Sequence, residues 1–270
     1  MWSVKHPVLR VALLETQVVV AGGAAPVGEP VVLPVAGPAA VGPRWPQALA
    51  ALDTWLQNNP RPSCTLQVVL STQLVRWQCL PWPRGLTQPA ALHAYAQARL
   101  RETFGPVADQ WAVLTATPHP GQPVLLCATD QDLLTQLQAL AQNHRLHLGS
   151  TSPYFAAARD HWQHRLRRGT VWFAALEPGG LTLGLLRHGH CQGVRSVRLA
   201  NQDNTDAVGA LVALQQQMRV GAGLEQRGPE PVLTCGVEPP TPTAALAHTH
   251  LVPEGHTAAG RVQTRMAWGV

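Results

Sequence analysis

The sequence predicts an α/β protein in which one unit is used twice: three strands, a helix and a further strand. Three observations carry this. Short valine- and leucine-rich runs, bounded by Gly, Pro, Asn and Asp, recur along the chain as strands do. Between them lie stretches with apolar residues every three or four positions, the spacing of a helix packed on one side. The order of elements near residues 8–70 returns near 170–235.

The elements follow in chain order. Residues 8–20 read as two strands with a tight turn at Glu15–Gln17, and Glu29–Val35 as a third, rich in β-branched valine. Trp45–Leu56 places Trp45, Ala48, Leu49, Leu52, Trp55 and Leu56 on one helical face, and Asn58-Asn59-Pro60 stops it. Thr65–Leu70 and Leu74–Leu80 are strands. Thr87 is the expected cap of a helix over 89–104, which Gly105-Pro106 ends. Strands at Trp111–Thr115 and Pro123–Ala128 precede a helix from Asp130 to Asn143. A short strand, Leu146–Leu148, leads to a helix over Ser152–Arg165.

The second round opens with strands at Thr170–Leu176, Leu181–Leu186 and Gln192–Leu199. A helix over Asp203–Val220 and a strand at Pro231–Cys235 complete it. The opening hairpins look alike: Ala12-Leu13-Leu14-Glu15 against Ala174-Ala175-Leu176-Glu177. After Gly236 the chain turns to proline, histidine and small residues, so 237–270 is expected to be a flexible tail.

Composition excludes several classes. At 46% hydrophobic, the 270-residue chain can bury a sizeable core. Only 13% is charged, and of 20 basic residues one, Lys5, is lysine, a bias expected of a GC-rich genome. The net charge of +5 is spread out, without the basic stripe and interleaved aromatics of a nucleic-acid binder. No apolar run reaches the roughly 18 to 20 residues that span a bilayer, and no signal peptide is evident. The five cysteines, Cys64, Cys79, Cys127, Cys191 and Cys235, are odd in number, widely spaced and without CxxC, which points to a reduced, cytoplasmic setting.

A doubled strand-strand-strand-helix-strand unit is the plan of the two-lobed actin-like (ribonuclease H-like) fold. The stretch Val68-Val69-Leu70-Ser71-Thr72-Gln73-Leu74-Val75-Arg76-Trp77, leading to Leu80-Pro81-Trp82 and on through Phe104-Gly105 to Trp111, narrows the match. It resembles the actin-like (ASKHA) assembly proteins of type IV pili and type II secretion, the PilM and GspL cytoplasmic-domain type. The resemblance also takes in Leu146–Pro153, where a strand runs into Ser-Thr-Ser-Pro and a helix. It implies a first lobe over 1–157, a second over 158–236 and the tail 237–270. The lack of an apolar span matches the PilM type, whereas GspL-type proteins carry one.

An actin-like ATPase needs two Asp-x-Gly hairpins, one per lobe, for Mg²⁺ and phosphate, and a Gly-Gly segment against adenosine. Here the first hairpin is Leu14-Glu15-Thr16-Gln17, with no glycine. The second, Leu176-Glu177-Pro178-Gly179-Gly180, keeps an acid and glycines, but Pro178 lacks a backbone donor. The adenosine position, Leu233-Thr234-Cys235-Gly236, has one glycine. Glu15, Glu177, Gly179, Gly180 and Gly236 are thus candidates for a degenerate nucleotide site, and no cofactor is expected.

Arg76 and Trp77 are neighbours in a strand, so they point to opposite faces, and Pro81 and Pro83 hold Trp82 on a stiff segment. Two readings stay open. The tryptophans belong to a core, or Arg76, Trp77 and Trp82 form a docking surface, since Trp and Arg are enriched at binding hot spots. His188-Gly189-His190-Cys191, with His248 and His250, is the tightest metal-like group, but no further ligand stands at zinc spacing, and a hairpin tip is the better reading. Arg165-Leu166-Arg167-Arg168 fits a helix end; contact with acidic headgroups or an acidic partner is its alternative. No GxSxG, HExxH or Walker A motif occurs.

The resemblance implies a non-catalytic cytoplasmic scaffold, peripheral to the inner membrane through its partners. They would be the cytoplasmic tail of an inner-membrane pilus or secretion protein and, as a second candidate, the assembly ATPase. An active actin-like ATPase or small-molecule kinase is the alternative.

Overall fold

The structure is a computed structural model, and it describes residues 7–22, 30–35, 44–83, 85, 88–116, 120–200, 204–221, 230–239, 248–253, 265–267 and 269. The elements up to the middle of the chain are β1 (Val8–Leu13), β2 (Gln17–Gly22), β3 (Val31–Pro34), α1 (Trp45–Asn58), β4 (Thr65–Leu70), β5 (Val75–Leu80), α2 (Pro89–Phe104), β6 (Trp111–Thr115), β7 (Val124–Asp130) and α3 (Gln131–Asn143). They continue with β8 (His147–Pro153), α4 (Tyr154–His161), α5 (Gln163–Leu166), β9 (Thr170–Glu177), β10 (Gly180–Arg187), β11 (His190–Arg198), α6 (Ala207–Gly221), β12 (Val232–Gly236) and β13 (His248–His250). The chain forms two compact units: residues 1–74, 132–157 and 252–270, and residues 75–131 and 158–251.

The first unit is a five-stranded sheet in the order β3-β2-β1-β4-β8. β1 runs antiparallel to β2 and parallel to β4, and β8 is parallel to β4. The central strands β1 and β4 bury residues on both faces, which is why they read as near-continuous apolar runs. α1 turns Trp45, Ala48, Leu49, Leu52 and Leu56 inward, and α3 buries Leu133, Leu137, Leu140 and Ala141. A 2.7 Å bond between His144 Nε2 and Asp53 Oδ1 ties the end of α3 to α1.

The second unit repeats that order. Its sheet runs β11-β10-β9-β12-β13, with β9 antiparallel to β10 and parallel to β12, and β13 parallel to β12. α6 packs Val208, Leu211, Leu214 and Met218 on Trp172, Ala174, Leu183 and Leu185. A three-stranded antiparallel sheet, β5-β7-β6, belongs to the same unit and buries Leu80, Leu126 and Ala128 against Ala96 and Leu100 of α2. The two five-stranded sheets therefore share the repeated order of elements that the sequence predicts, and their strand directions agree with each other. A cut at residue 157 follows the sequence repeat, whereas contacts group residues 75–131 with the later part of the chain.

Several elements differ from the sequence expectation. β8 runs to Pro153, because Ser150–Pro153 pair with Gln67–Leu70 beyond an irregularity at Gly149. That pairing delays the following helix to Tyr154 and leaves two short helices where one was expected. α6 begins at Ala207, with Asp203 outside the described residues. Thr87 and Glu29 also lie outside them; α2 starts with Pro89 after Gln88, without a side-chain cap. The expected flexible tail contains order: β13 extends the second sheet, and Leu251, Arg265, Met266 and Ala267 are buried. Composition averages over the tail and misses pairing that needs three residues only.

Candidate functional site

Each five-stranded sheet has a hairpin at the end of its first strand. In the first unit, Leu14 N–H donates to Gln17 O at 3.0 Å, and Val35 N–H donates to Thr16 O at 2.9 Å. Glu15 is half-buried in this turn.

In the second unit, β9 and β10 pair up to Glu177 opposite Gly180, so Pro178 and Gly179 make a two-residue turn. Gly179 has a φ of +71°, a conformation in which a side chain is strained. Glu177 and Gly179 are buried. At Gly180 a Cβ would come 3.0 Å from Glu177 Cγ, so a glycine there leaves room for the inward-folded Glu177. The turn is fastened from outside by Asn204. Gly179 N–H donates to Asn204 Oδ1 at 3.1 Å, and Asn204 Nδ2 donates to Glu177 O at 3.1 Å. Asn204 is fully buried and sits at a φ of +58°, the left-handed region that Asn tolerates. Pro178 has no donor and the donor of Gly179 is committed within the fold, so neither residue of this turn offers an N–H to an anionic ligand.

Gly236 closes β12 at a φ of +86°, and Val237 N–H donates to Leu176 O at 3.0 Å. This segment continues the pairing with β9.

Arg76 and Trp77 lie on β5, an edge strand of the three-stranded sheet. Alternation puts Arg76 on the face of Gln78, which donates to Thr103 Oγ1 of α2 at 3.0 Å, and of the buried Leu80. Trp77 takes the opposite face, with Cys79. Arg76 is exposed, and Trp77 and Trp82 are each half-buried. Desolvation of the guanidinium, and then the like charge of Arg198, pull Arg76 below the ordinary arginine range. β5 thus carries a cation with a second one near it.

The His188-Gly189 pair is the tip of the β10–β11 hairpin, with φ of +51° and +81°. Positive φ at both turn residues is the primed geometry that joins twisted strands. Among the described residues no group of three or more His, Cys, Asp or Glu could hold a metal ion. Nor is any described helix long and apolar enough to cross a membrane.

No family model matches the sequence, and no curated protein does. Solved structures do match. The cytoplasmic domain of EpsL, an inner membrane component of the type II secretion system of Vibrio cholerae, aligns with a TM-score of 0.60 at 11% identity, over 97% of this chain and 94% of that one. The PilM–PilN type IV pilus biogenesis complex aligns with a TM-score of 0.59 at 17% identity, over 97% and 96%. A Bacteroides thetaiotaomicron protein with an actin-like ATPase fold and unknown function gives 0.55 at 9% identity, over 86% and 82%.

The fold is actin-like. In the actin-like frame the β1–β2 and β9–β10 hairpins are equivalent corners of the two repeats. Sequence reasoning singled out Glu177, Pro178 and Gly179 but missed Asn204, which lies 25 residues from Gly179. An asparagine before a helix reads as an ordinary start signal, and nothing local tells that it clasps a distant turn.

Proposed function

We propose that this chain is a cytoplasmic, non-catalytic actin-like scaffold of a type IV pilus or type II secretion-like assembly platform, peripheral to the inner membrane. The observation that carries this reading is the altered β9–β10 turn on an intact duplicated frame: Pro178 offers no donor and Asn204 occupies that of Gly179. The likeness to EpsL and to the PilM–PilN complex supports it, with lobes over 1–157 and 158–236 and a tail beyond. Glu15, Glu177, Gly179, Gly180 and Gly236 are then remnants of a nucleotide site. The partner is the cytoplasmic tail of an inner-membrane assembly protein, and the assembly ATPase is a second candidate.

In this reading Arg76, Trp77 and Trp82 hold the tail. The cations Arg76 and Arg198 near one another favour a segment with carboxylates or several carbonyls, which arginine can meet bidentately. Half-buried tryptophans offer area without rebuilding a core, and Trp82 between Pro81 and Pro83 loses little entropy on docking.

Two measurements test the proposal. Calorimetry with Mg-ATP is expected to show millimolar binding at best, and no hydrolysis is expected. Capture of inner-membrane proteins from a detergent extract is expected to yield one assembly protein, weakened about thirtyfold by Arg76→Ala or Trp82→Ala at unchanged melting temperature. Micromolar Mg-ATP affinity would instead favour the ATPase or kinase. Early melting of both Trp77→Ala and Trp82→Ala with normal capture by Arg76→Ala would assign the stretch to packing.

A further inference from the structure

The second unit contains a half-open cavity of about 600 Å³ at the His188-Gly189 end of its sheet, the end away from the Pro178-Gly179 turn. Arg159, Arg167, His188 and His190 line it, with Asp160 as the acid among the lining residues. Arg159 is bonded to Asp160 through Nη2 at 2.9 Å. In the wall of this basic cavity sits Cys191, the second residue of β11.

Cys191 has a neighbour of its own kind. Cys79 Sγ of β5 lies 3.5 Å from Cys191 O, and Cys191 Sγ in turn lies 3.2 Å from Gly193 O. Cys79 itself lines a second cavity of about 290 Å³. The thiol hydrogen bond from Cys79 holds Cys191 below the ordinary thiol range against the opposing effect of burial, and the charge of Arg159 adds to this. The same contact pushes Cys79 upward. Cys191 lines the cavity that holds Arg159 and Arg167, and Cys79 stands behind it, which is the arrangement of an attacking and a resolving cysteine.

We propose that Cys79 and Cys191 are a thiol–disulfide modification site, oxidised by a low-molecular-weight disulfide that bears carboxylates and enters the cavity lined by Arg159 and Arg167. The Cys191 thiolate attacks one sulfur of the small disulfide; its S–S bond breaks and one small thiolate leaves. Cys79 then gives up its proton and attacks Cys191 Sγ, which releases the second small thiolate. Two protein thiols lose two electrons in all, and one small disulfide becomes two thiols. The new bond joins β5 to β11, edge strands of two different sheets with no ladder between them. β5 also carries Arg76 and Trp77, so oxidation fixes the strand next to the proposed tail site.

The test uses the full chain and glutathione disulfide as the probe, followed by alkylation and peptide mass spectrometry. The wild type is expected to yield a Cys79–Cys191 cross-linked peptide, with Cys64, Cys127 and Cys235 alkylated as free thiols. Closing a loop of this length is expected to raise the melting temperature by about 10 °C, reversed by a reducing agent. In Cys79→Ser, Cys191 is expected to stop at the glutathione adduct; in Cys191→Ser, Cys79 is expected to stay reduced. Absence of the cross-link in folded wild type overturns the proposal, as does glutathione addition to Cys79 in Cys191→Ser at the rate seen for Cys191. The wild-type arm needs no variant to fold, and its failure leaves the scaffold reading untouched.

Discussion

Replacing Asn204 by alanine removes the clasp on the β9–β10 turn. Two 3.1 Å hydrogen bonds go, one from Gly179 N–H and one to Glu177 O. Glu177 and Gly179 are buried, so water does not readily replace the lost partner. Each unsatisfied backbone group costs about 1–3 kcal/mol. Alanine at a φ of +58° adds about 1–2 kcal/mol, because its Cβ crowds the following carbonyl. The sum is about 3–8 kcal/mol, and in a chain of this size 1 kcal/mol moves the melting temperature by about 2–4 °C. A drop of at least about 6 °C is expected in a thermal melt followed by circular dichroism. Asn204→Gly loses the same bonds without the Cβ, so it should recover about 1 kcal/mol of the loss. Hydrogen exchange gives the local readout: the Gly179 amide should exchange fast in both variants. If Asn204→Ala melts within about 2 °C of wild type and that amide stays protected, the turn is not held by Asn204. The committed-donor argument against nucleotide binding would then fall with it.

Other perturbations separate packing from chemistry. Gly269→Ala puts a Cβ 2.6 Å from Ala157 Cβ at a φ of +70°, so about 2–3 kcal/mol of stability should be lost in urea melts; an unchanged midpoint would mean that the last residues contribute no packing. Trp172→Phe keeps a buried ring and deletes the 2.6 Å bond from Nε1 to Glu230 Oε2, which should cost about 1.5–3 kcal/mol; a loss below about 0.5 kcal/mol would contradict this. Burial pushes the Cys127 thiol up to about 11, so at pH 8 about one molecule in a thousand carries the thiolate. Iodoacetamide should therefore label Cys127 about a hundredfold more slowly than an unperturbed thiol, and the rate should rise about tenfold per pH unit up to pH 10. Labelling at the ordinary rate would show that the site opens.

The duplicated frame is legible in the order of residues alone. Buried strands such as β1, β4 and β9 need near-continuous apolar runs, and α1 needs Trp45, Ala48, Leu49 and Leu52 on one face, so periodicity is written where the core demands it. Turn chemistry was equally local: the missing glycine near Glu15, the proline at 178 and the His188-Gly189 tip all show in a few letters. What those turns are bonded to is fixed by long-range packing. Asn204 reaches Glu177 and Gly179 across 25 residues or more, and Cys79 meets Cys191 across 112, separations at which a single sequence carries no periodic signal. The same holds for β8 and β13. Gly-Ser-Thr-Ser-Pro and His-Thr-His are poor strand formers, and they are extended because β4 and β12 present free edges to them. Local propensity is worth a fraction of a kcal/mol per residue, and a ladder of backbone hydrogen bonds to an existing sheet outweighs it.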